Sequence, residues 1–400
     1  MYRGKLTLTL LVLVIIVSAG LPRQAEAIPA FARQHKISCT TCHAPFPRLK
    51  EFGEEFAGNG FAMPEGDDER NYVNTGDDEL KLNKSFPIAA RMDLYGIYED
   101  QEEVNNDLRV PYGVKLLSGG TVAPNVGYYF YFYMSERGEV AGIEDAYIHF
   151  NNLFGAEFDI MVGQFQTSDP LMKRELRLTF EDYEVYRTRV GLSQTNLAYD
   201  RGLMLTYDIA KTGTGLVGMI VNGNGAGASE DHATFENDKY KNYGLRISQG
   251  LGHYFRLGYF FYYGNEKGRA TETADYFKNT ITTHGPDFTL GNGMFDLNFQ
   301  YLFREDTNPT FVAADTDVKT DGILAELVYS PKRDQSNYYF TLLYNQVDSD
   351  IDPDAYVHDY ESITVSGTYL FARNLRGNLE YTRDLEYEFN RIGLGFVSAF

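Results

Sequence analysis

The sequence predicts an all-β fold, a sixteen-stranded antiparallel outer-membrane β-barrel that follows a small N-terminal helical domain. Three observations predict it. The 400 residues have a mean hydropathy of −0.35, which excludes a bundle of membrane-spanning helices. The chain has 38 Gly, 31 Tyr and 28 Phe, an unusual surplus for a soluble globule. Segments of about ten residues also alternate apolar and polar side chains, as strands between lipid and a polar lumen do.

The charge and cysteine content exclude two other classes of protein. Acidic residues number 56 and basic residues 36, for a net charge of −20, so no basic surplus exists to neutralise nucleic-acid phosphates. Only two cysteines are present, too few for a disulfide-stapled scaffold.

The first residues predict export. Arg3 and Lys5 precede an apolar run from Leu6 to Ala19, and Ala25-Glu26-Ala27 has the small-x-small pattern of a cleavage site. We therefore expect residues 1–27 to be a signal peptide, with an uncleaved helical anchor as the weaker alternative.

Both cysteines lie in Cys39-Thr40-Thr41-Cys42-His43, the C-x-x-C-H spacing of a c-type haem site. Cys39 and Cys42 are predicted to attach one covalent haem c through thioethers, with His43 as the axial iron ligand. A C-x-x-C redox disulfide is the alternative, which the adjacent histidine and the export signal disfavour. Residues 28–82 are predicted to form this monohaem cytochrome c domain. A segment this short buries too little apolar surface to fold alone, so the covalent haem would serve as its core.

The rest of this domain suggests a helix and a second iron ligand. Pro47 is a favourable helix start, and Leu49, Phe52 and Phe56 would share one helix face. Met63 is the tentative distal ligand, which would give a His/Met iron. His35 is its rival, and a five-coordinate iron also remains open.

Residues 86–400 are predicted to form the porin-like barrel. Phe255, Leu257 and Tyr259 lie on one face of their segment, as such alternation requires. The sixteen predicted strands begin near Pro87, Val110, Asn125, Gly142, Glu157, Ala198, Gly215, Asn242, Tyr254, Ile281, Met294, Gly322, Asn337, Glu361, Leu375 and Phe389. An even number is what a bacterial single-chain barrel has.

Short and long connections alternate along these strands. Short turns of such barrels lie in the periplasm and long loops outside, so the haem domain is predicted to enter from the periplasmic side and to plug the lumen. Long connections run from Asn222 to Lys241, from Asn265 to Thr280 and from Glu305 to Lys319.

The longest interruption runs from Gln166 to Asn196, and Asp169-Pro170 inside it is a favourable helix start. It is either a constriction loop folded into the lumen or an external solvated helix. Inside the lumen, its charges would need partners such as Arg91, Arg256 and Arg304, because an unpaired buried charge is costly.

Two of the predicted outer loops are strongly acidic. Such a rim would concentrate cations at the mouth, although simple solvation explains the same charges. The acidic residues are Glu99, Asp100, Glu102, Glu103 and Asp107 in the first loop, and Asp348, Asp350, Asp352 and Asp354 in the seventh.

The N-terminal motif resembles a known family. Phe31-Ala32-Arg33-Gln34, the C-x-x-C-H motif, residues 46–53 (FPRLKEFG) and Gly60-Phe61 are similar to the signature of the fused monohaem cytochrome–porins, which include outer-membrane iron oxidases. The sequence departs from that signature at Gln34-His35-Lys36 and at residues 53–57 (GEEFA).

The resemblance implies an outer-membrane electron-transfer protein of a Gram-negative bacterium. It would move single electrons between extracellular Fe(II), or another external donor or acceptor, and a periplasmic c-type cytochrome, as an Fe(II):cytochrome c oxidoreductase. Two alternatives remain: a porin with a haem-bearing plug, and a barrel partner of a multihaem cytochrome. A homotrimer is a further expectation, since many sixteen-stranded porins trimerise, and no nucleic-acid partner is expected.

Overall fold

A computed structural model describes residues 30–63, 72–80, 82–84, 86–100, 105–136, 138–227, 234–313, 317–352, 356 and 359–400. The predicted signal peptide and the acidic residues Glu102, Glu103 and Asp354 lie outside these residues. No helix among the described residues is long and apolar enough to cross a membrane.

Sixteen antiparallel strands close into a barrel, which confirms the predicted architecture and strand number. Every strand begins within four residues of its predicted start. The barrel strands are β3 Ile88–Glu99, β4 Asn106–Ala123, β5 Val126–Glu136, β6 Gly142–Phe150, β7 Phe158–Gln166, β8 Tyr199–Ile209, β9 Thr214–Val221, β10 Asn242–Leu251, β11 Phe255–Gly268, β12 Phe277–Gly291, β13 Phe295–Asp306, β14 Val318–Tyr329, β15 Tyr338–Ser349, β16 Tyr360–Ala372, β17 Leu375–Asp384 and β18 Asn390–Ala399.

The last strand pairs with the first, so the sheet has no open edge. Ile392 of β18 pairs with Tyr98 of β3. The backbones of Ala90 and Phe400 exchange hydrogen bonds of 2.7 and 2.8 Å at the end of this seam. Closure matters because an unpaired edge within lipid would leave backbone N–H and C=O groups without partners.

The side chains alternate across the barrel wall as predicted. On β11, Tyr259 and Phe261 are exposed on the outside, whereas Phe260 and Tyr262 between them are buried inside. The outer surface is therefore apolar and rich in aromatic side chains, which suits contact with lipid. The polar and charged side chains face the lumen.

Strand β4 begins earlier than predicted and contains a proline. Pro111 lies where the pairing with β3 slips, between the Asp93–Gly113 and Tyr95–Arg109 pairs. A proline has no N–H to donate, so it is tolerated at such an irregularity and not in a regular central ladder.

The N-terminal residues contribute three short helices and a two-stranded ribbon. These are α1 Ala30–His35, α2 Cys39–Cys42, α3 Glu51–Gly58, β1 Tyr72–Val73 and β2 Leu82–Asn83. Helix α3 begins at Glu51, so the predicted start at Pro47 is wrong. Residues 43–49 instead form a tight loop closed by an isolated bridge between His43 and Leu49.

Short turns join the strands at one end of the barrel and longer loops at the other. The short-turn end includes Arg373-Asn374 between β16 and β17, and residues 330–337 between β14 and β15. Residues 167–198, between β7 and β8, form the longest connection, which we call the lumen loop. It contains the four-residue helix α4, Glu184–Arg187.

Candidate functional site

The N-terminal residues 30–63, which we call the plug, pack inside the barrel. Phe56 and Phe61 belong to the same buried cluster as lumen-facing residues of the wall and the lumen loop. The ring of Phe61 stacks on Phe31 at 4.9 Å on one side and on Tyr129 of β5 at 4.8 Å on the other. The apolar face predicted for α3 therefore packs against the barrel as well as within the plug.

The plug backbone touches the wall where glycine permits it. A Cβ atom added at Gly127 of β5 would lie 2.0 Å from the carbonyl oxygen of Gly60, so no larger residue fits there. The amide of Asn151 also donates to the carbonyl oxygen of Asn59. These contacts fix one side of the plug to strands β5 and β6.

The two cysteines lie at the ends of α2, one helical turn apart. Ser38 precedes this helix, and its hydroxyl accepts a hydrogen bond from the backbone N–H of Thr40. Both thiols are free, and burial raises the pKa of each. Two free thiols at this spacing are the arrangement that double thioether attachment of a haem requires.

The imidazole of His43 is held by backbone oxygens on one side. Its Nδ1 lies 2.6 Å from the carbonyl oxygen of Pro47 and 3.2 Å from that of Arg48. Carbonyl oxygens only accept, so Nδ1 carries the proton and Nε2 keeps its lone pair. Burial lowers the pKa of His43, against the opposing effect of these two hydrogen bonds. A neutral ring with a fixed tautomer is what an iron ligand needs, and the donor set therefore fits a c-type haem.

Helix α3 crosses directly behind this motif. A Cβ atom at Gly53 would lie 2.3 Å from the carbonyl oxygen of Cys42, and that oxygen accepts a 2.9 Å hydrogen bond from the backbone N–H of Lys50. The residues that resemble the family signature thus pack against each other as one small unit.

A narrow cleft lies between this unit and the short-turn end of the barrel. Cys39, His43 and Phe46 line it from the plug. Two turns of the barrel and the end of β16 line its other side, through Arg333, Asp334, Ser336, Leu370 and Arg373. The C-x-x-C-H motif therefore lies at the short-turn mouth of the barrel.

The two candidates for the sixth ligand lie in the aromatic part of the plug. Met63 packs against the cluster that contains Phe56 and Phe61. The ring of His35 meets that of Phe56 edge-on at 5.4 Å. Neither residue is among the described residues that line the cleft beside His43. The assignment of Met63, with His35 as rival, stays a prediction.

Barrel side chains clamp the residues just after His43. The guanidinium of Arg48 forms an ion pair with Glu326 of β14, whose side chain is fully buried. Tyr339 and Arg376 both donate to the carbonyl oxygen of Phe46, at 2.9 and 3.2 Å. These wall residues were not identified from the sequence. The alternation of apolar and polar side chains shows that they face the lumen, but it does not show which residues they contact.

The lumen loop folds into the barrel. Of its two predicted positions, the structure therefore shows the constriction loop inside the lumen and not the external helix. Tyr183 and Tyr186 are almost fully buried in the lumen core. The backbone N–H groups of Phe180 and Glu181 donate to the carboxylate of Glu380 on β17, at 2.7 and 3.0 Å. The predicted helix at Asp169-Pro170 is wrong, because turns occupy these positions.

Ion pairs within the loop stabilise its shape. Arg174 binds Asp182 through two hydrogen bonds, of 2.6 and 3.1 Å. Burial opposes ionisation of Asp182, but Arg177, Arg174 and Arg187 together outweigh it and hold its pKa far below the ordinary value. This carboxylate therefore stays charged at any physiological pH.

None of the three predicted wall partners forms an ion pair with the described loop residues, and one of them binds the loop backbone instead. Arg304 donates to the carbonyl oxygen of Thr195 at 2.8 Å. Arg91 instead pairs with Asp93 of its own strand, and no hydrogen bond or ion pair joins Arg256 to the described loop residues. The charged wall partners of the loop include Lys115, 3.7 Å from Glu175, and Arg391, which pairs with Glu181.

An open vestibule of about 690 Å³ lies at the long-loop end, above the lumen loop. Its lining includes Arg109, Arg177, Phe180 and Arg391. No group of three or more His, Cys, Asp or Glu side chains that could hold a metal ion occurs in the part of the chain that the structure describes. The acidic rim thus presents no assembled metal site within those residues.

The sequence matches no protein-family model and no curated protein. Solved structures share the fold. The anion-selective porin from Comamonas acidovorans superposes with a TM-score of 0.54 at 11% identity, over 79% of this chain and 99% of that chain. The outer membrane channel DcaP of Acinetobacter baumannii gives 0.54 at 14% identity, over 78% and 96%.

A third neighbour is OmpT, an outer membrane protein of Vibrio cholerae, in a trimer form. It superposes with a TM-score of 0.53 at 11% identity, over 79% of this chain and 99% of that chain. At such identities these likenesses show the fold alone, which is that of the outer-membrane porins. They leave about a fifth of this chain uncovered.

Proposed function

We propose that this chain is an outer-membrane porin-type barrel whose short-turn mouth is closed by a plug that carries one covalently bound haem c. The observation that carries the proposal is the position of the C-x-x-C-H motif at the short-turn mouth, where Glu326, Tyr339 and Arg376 of the wall bind the residues just after it. Cys39 and Cys42 would hold the haem, and Nε2 of His43 would bind its iron. The haem supplies one-electron chemistry at this mouth.

Several features support an outer-membrane location with the plug toward the periplasm. The barrel has the fold of outer-membrane porins, an apolar outer surface, and short turns at the plug end. In barrels of this kind short turns face the periplasm. A soluble periplasmic c-type cytochrome is then the natural redox partner, and the trimer form of OmpT supports a homotrimer.

The experiment that tests the plug proposal uses the intact protein from outer membranes. Intact mass should show one haem per chain, and a Cys39→Ser, Cys42→Ser double variant should carry none. In a planar bilayer, the parent barrel should conduct weakly, and deletion of residues 30–63 should raise the conductance several-fold. Absence of haem from the parent, or an unchanged conductance after the deletion, would contradict the proposal.

A second candidate function is electron transfer through the barrel to an extracellular donor such as Fe(II). Its specific support is the contact between an aromatic ring of the plug and paired aromatic rings of the lumen wall. Phe61, Tyr129 and Tyr147 follow one another at centroid distances of 4.8 and 5.6 Å. The position of His43 at the short-turn mouth argues against this function. The apolar band of such a barrel is about 25 Å tall, so a single haem at one mouth would have to exchange electrons with partners on both sides of the membrane.

Proteoliposomes separate the two functions. A conduit should reduce an enclosed c-type cytochrome when Fe(II) is added outside, whereas a haem-plugged porin should pass small ions and leave the enclosed protein oxidised. The remaining alternative, a sheath for a multihaem cytochrome, would need a lumen free for another conductor. The plug and the lumen loop fill that space together.

A further inference from the structure

Two arginines of the barrel turns face the predicted haem cleft and have no acidic partner among the described residues. Arg333 lies in the turn between β14 and β15, and Arg373 lies in the turn between β16 and β17. Both line the cleft that Cys39 and His43 line from the plug. Among the residues that the structure describes, neither guanidinium has a carboxylate oxygen within 4.0 Å.

The acidic residue that lines the cleft within the described part of the chain is already neutralised. Asp334 binds the ammonium of Lys50 at 2.8 Å. Arg373 lies close enough to Cys39 to act on it electrostatically: burial raises the pKa of that thiol, and the positive charge of Arg373 opposes the rise. The cleft therefore has an excess of two positive charges on a chain whose net charge is −20.

The arrangement differs from that of the arginines deeper in the lumen. Arg304 pairs with Asp306 at 2.6 Å, and Arg246 pairs with Asp287 at 2.6 Å. Each carries its counter-charge within the wall. The guanidinium groups of the two cleft arginines are therefore available to bind an anionic group in the cleft.

We propose that Arg333 and Arg373 bind the carboxylates of the haem, so that the barrel as well as the plug holds the cofactor. The inference rests on the haem attachment proposed above. A haem brings two propionate carboxylates, which match the two guanidinium groups in number and charge. Arginine forms strong charge-assisted hydrogen bonds to carboxylates, and Leu370 offers an apolar surface beside them.

This assignment gives the cofactor a structural role. Thioethers at Cys39 and Cys42 join the haem to the plug, and the arginines join it to two barrel turns. The haem then links the plug to a part of the wall other than the Gly60–Gly127 contact. Loading with haem should therefore stabilise the plugged state of the barrel.

The test uses the full-length holoprotein, with Arg333→Gln, Arg373→Gln and the double variant. Lys332→Gln is the matched control, because it removes one positive charge from the same turn at a position that does not line the cleft. An arginine beside a propionate disfavours the oxidised, more positive iron by neutralising the carboxylate. Loss of both arginines should therefore lower the midpoint potential by about 59 mV, a tenfold change in the oxidised-to-reduced ratio for one electron.

A second readout reports the link between plug and wall. Protease cleavage of the plug should be faster in the double variant than in the parent holoprotein. In the haem-free Cys39→Ser, Cys42→Ser background, the same arginine substitutions should leave the cleavage rate unchanged. Arg373→Lys, which keeps the charge, should retain most of the parent potential.

The possible failures are distinguishable. A parent protein without haem would overturn the proposed function itself. If haem is present but the double variant keeps the parent potential, or the control shifts it equally, the assignment of these arginines is wrong. It is also overturned if the substitutions alter only the salt dependence of electron exchange with a soluble c-type cytochrome, which would make the arginines a protein-docking surface.

Discussion

The phenol of Tyr183, at the inner part of the lumen loop, donates a 2.6 Å hydrogen bond to Glu326 of the barrel wall. The other carboxylate oxygen of Glu326 binds Arg48 of the plug. One buried side chain thus holds both elements that fill the lumen. Arg48 in turn belongs to the loop whose carbonyl oxygens orient the ring of His43.

Glu326→Gln should therefore loosen the plug while the barrel remains folded. The substitution keeps the shape but leaves Arg48 without a counter-charge. Removal of one partner from a buried pair costs about 3–5 kcal/mol, and we expect about 3 kcal/mol here because Arg48 keeps some solvent contact. Protease cleavage between residues 30 and 63 should accelerate on the order of 100-fold, since each 1.4 kcal/mol is about a factor of ten.

Lys50→Gln is the control for that prediction. Lys50 also pairs with a barrel residue, Asp334, but the two side chains are 33% and 46% exposed. Exposed pairs contribute about 1 kcal/mol or less. A plug as protease-sensitive in Lys50→Gln as in Glu326→Gln would contradict the central place given to Glu326.

Substitutions in the haem motif should separate attachment from ligation. Cys39→Ala and Cys42→Ala each leave one thiol, so each should reduce the haem content and leave a single thioether in what remains. His43→Ala keeps both thiols and should retain haem by mass while losing the axial ligand, which a changed visible spectrum would report. Loss of covalent haem from His43→Ala but not from the cysteine variants would contradict the assigned roles.

Met63→Ala and His35→Ala test the sixth ligand. If Met63 binds the iron, its removal should abolish the sulfur-ligation band of the ferric protein and lower the haem potential, because a thioether ligand raises it. His35→Ala should then have little effect on the spectrum. The reverse result would assign His35, and unchanged spectra in both variants would indicate a five-coordinate iron.

The strands were predictable because their signal is local. A period-two alternation at residues such as Tyr259, Phe260 and Phe261 needs no knowledge of distant partners. The start of α3 was not predictable in this way: the carbonyl groups of Pro47 and Arg48 are turned toward the ring of His43. Propensity favours a helix at Pro47, and that side-chain contact overrides it.

The lumen loop illustrates the same limit over a longer distance. Its charges and Asp169-Pro170 indicated a helix, but its backbone donors are satisfied by wall side chains. Glu380 lies 200 residues from Phe180 in the sequence and accepts its N–H. A contact between residues so far apart leaves no local pattern in the sequence. The sequence therefore did not show whether the lumen loop lies inside the barrel or outside it.

Glu380→Ala should free the lumen loop and widen the pore. Two backbone N–H groups, of Phe180 and Glu181, would lose their acceptor, and Arg391 would lose an acidic neighbour at 3.7 Å. Single-channel conductance in a planar bilayer should rise by about two-fold or more, preferably in the background that lacks the plug, where the loop alone narrows the lumen.

Glu361→Ala is the matched control for pore width. Glu361 accepts a 2.8 Å hydrogen bond from Tyr344 and has no hydrogen bond or ion pair with the lumen loop among the described residues. Its substitution should leave the conductance unchanged. An equal rise in both variants would indicate a general loss of barrel order, and no rise in Glu380→Ala would contradict the anchoring role.

Asp182 should stabilise the loop over the whole range from neutral to mildly acidic pH. Burial disfavours its charge, but Arg177, Arg174 and Arg187 depress its pKa far below the usual 3.8. A carboxyl group whose pKa is lower in the folded than in the unfolded state makes its full contribution to stability at pH values above the unfolded-state pKa. That contribution is lost as the pH falls through the folded-state pKa. The contribution should thus be constant from pH 8 to 5 and should decline only below about pH 4.

Hydrogen exchange of loop peptides in Asp182→Asn measures this contribution. Asp182 accepts from the backbone N–H of Tyr183 at 2.8 Å and binds Arg174 at 2.6 Å, so the variant should lose protection around Tyr183. The difference in protection factor between parent and variant should be the same at pH 8 and pH 5. A difference that shrinks between those values would mean that Asp182 titrates between pH 5 and 8, above its ordinary pKa, and that burial outweighs its three arginine neighbours.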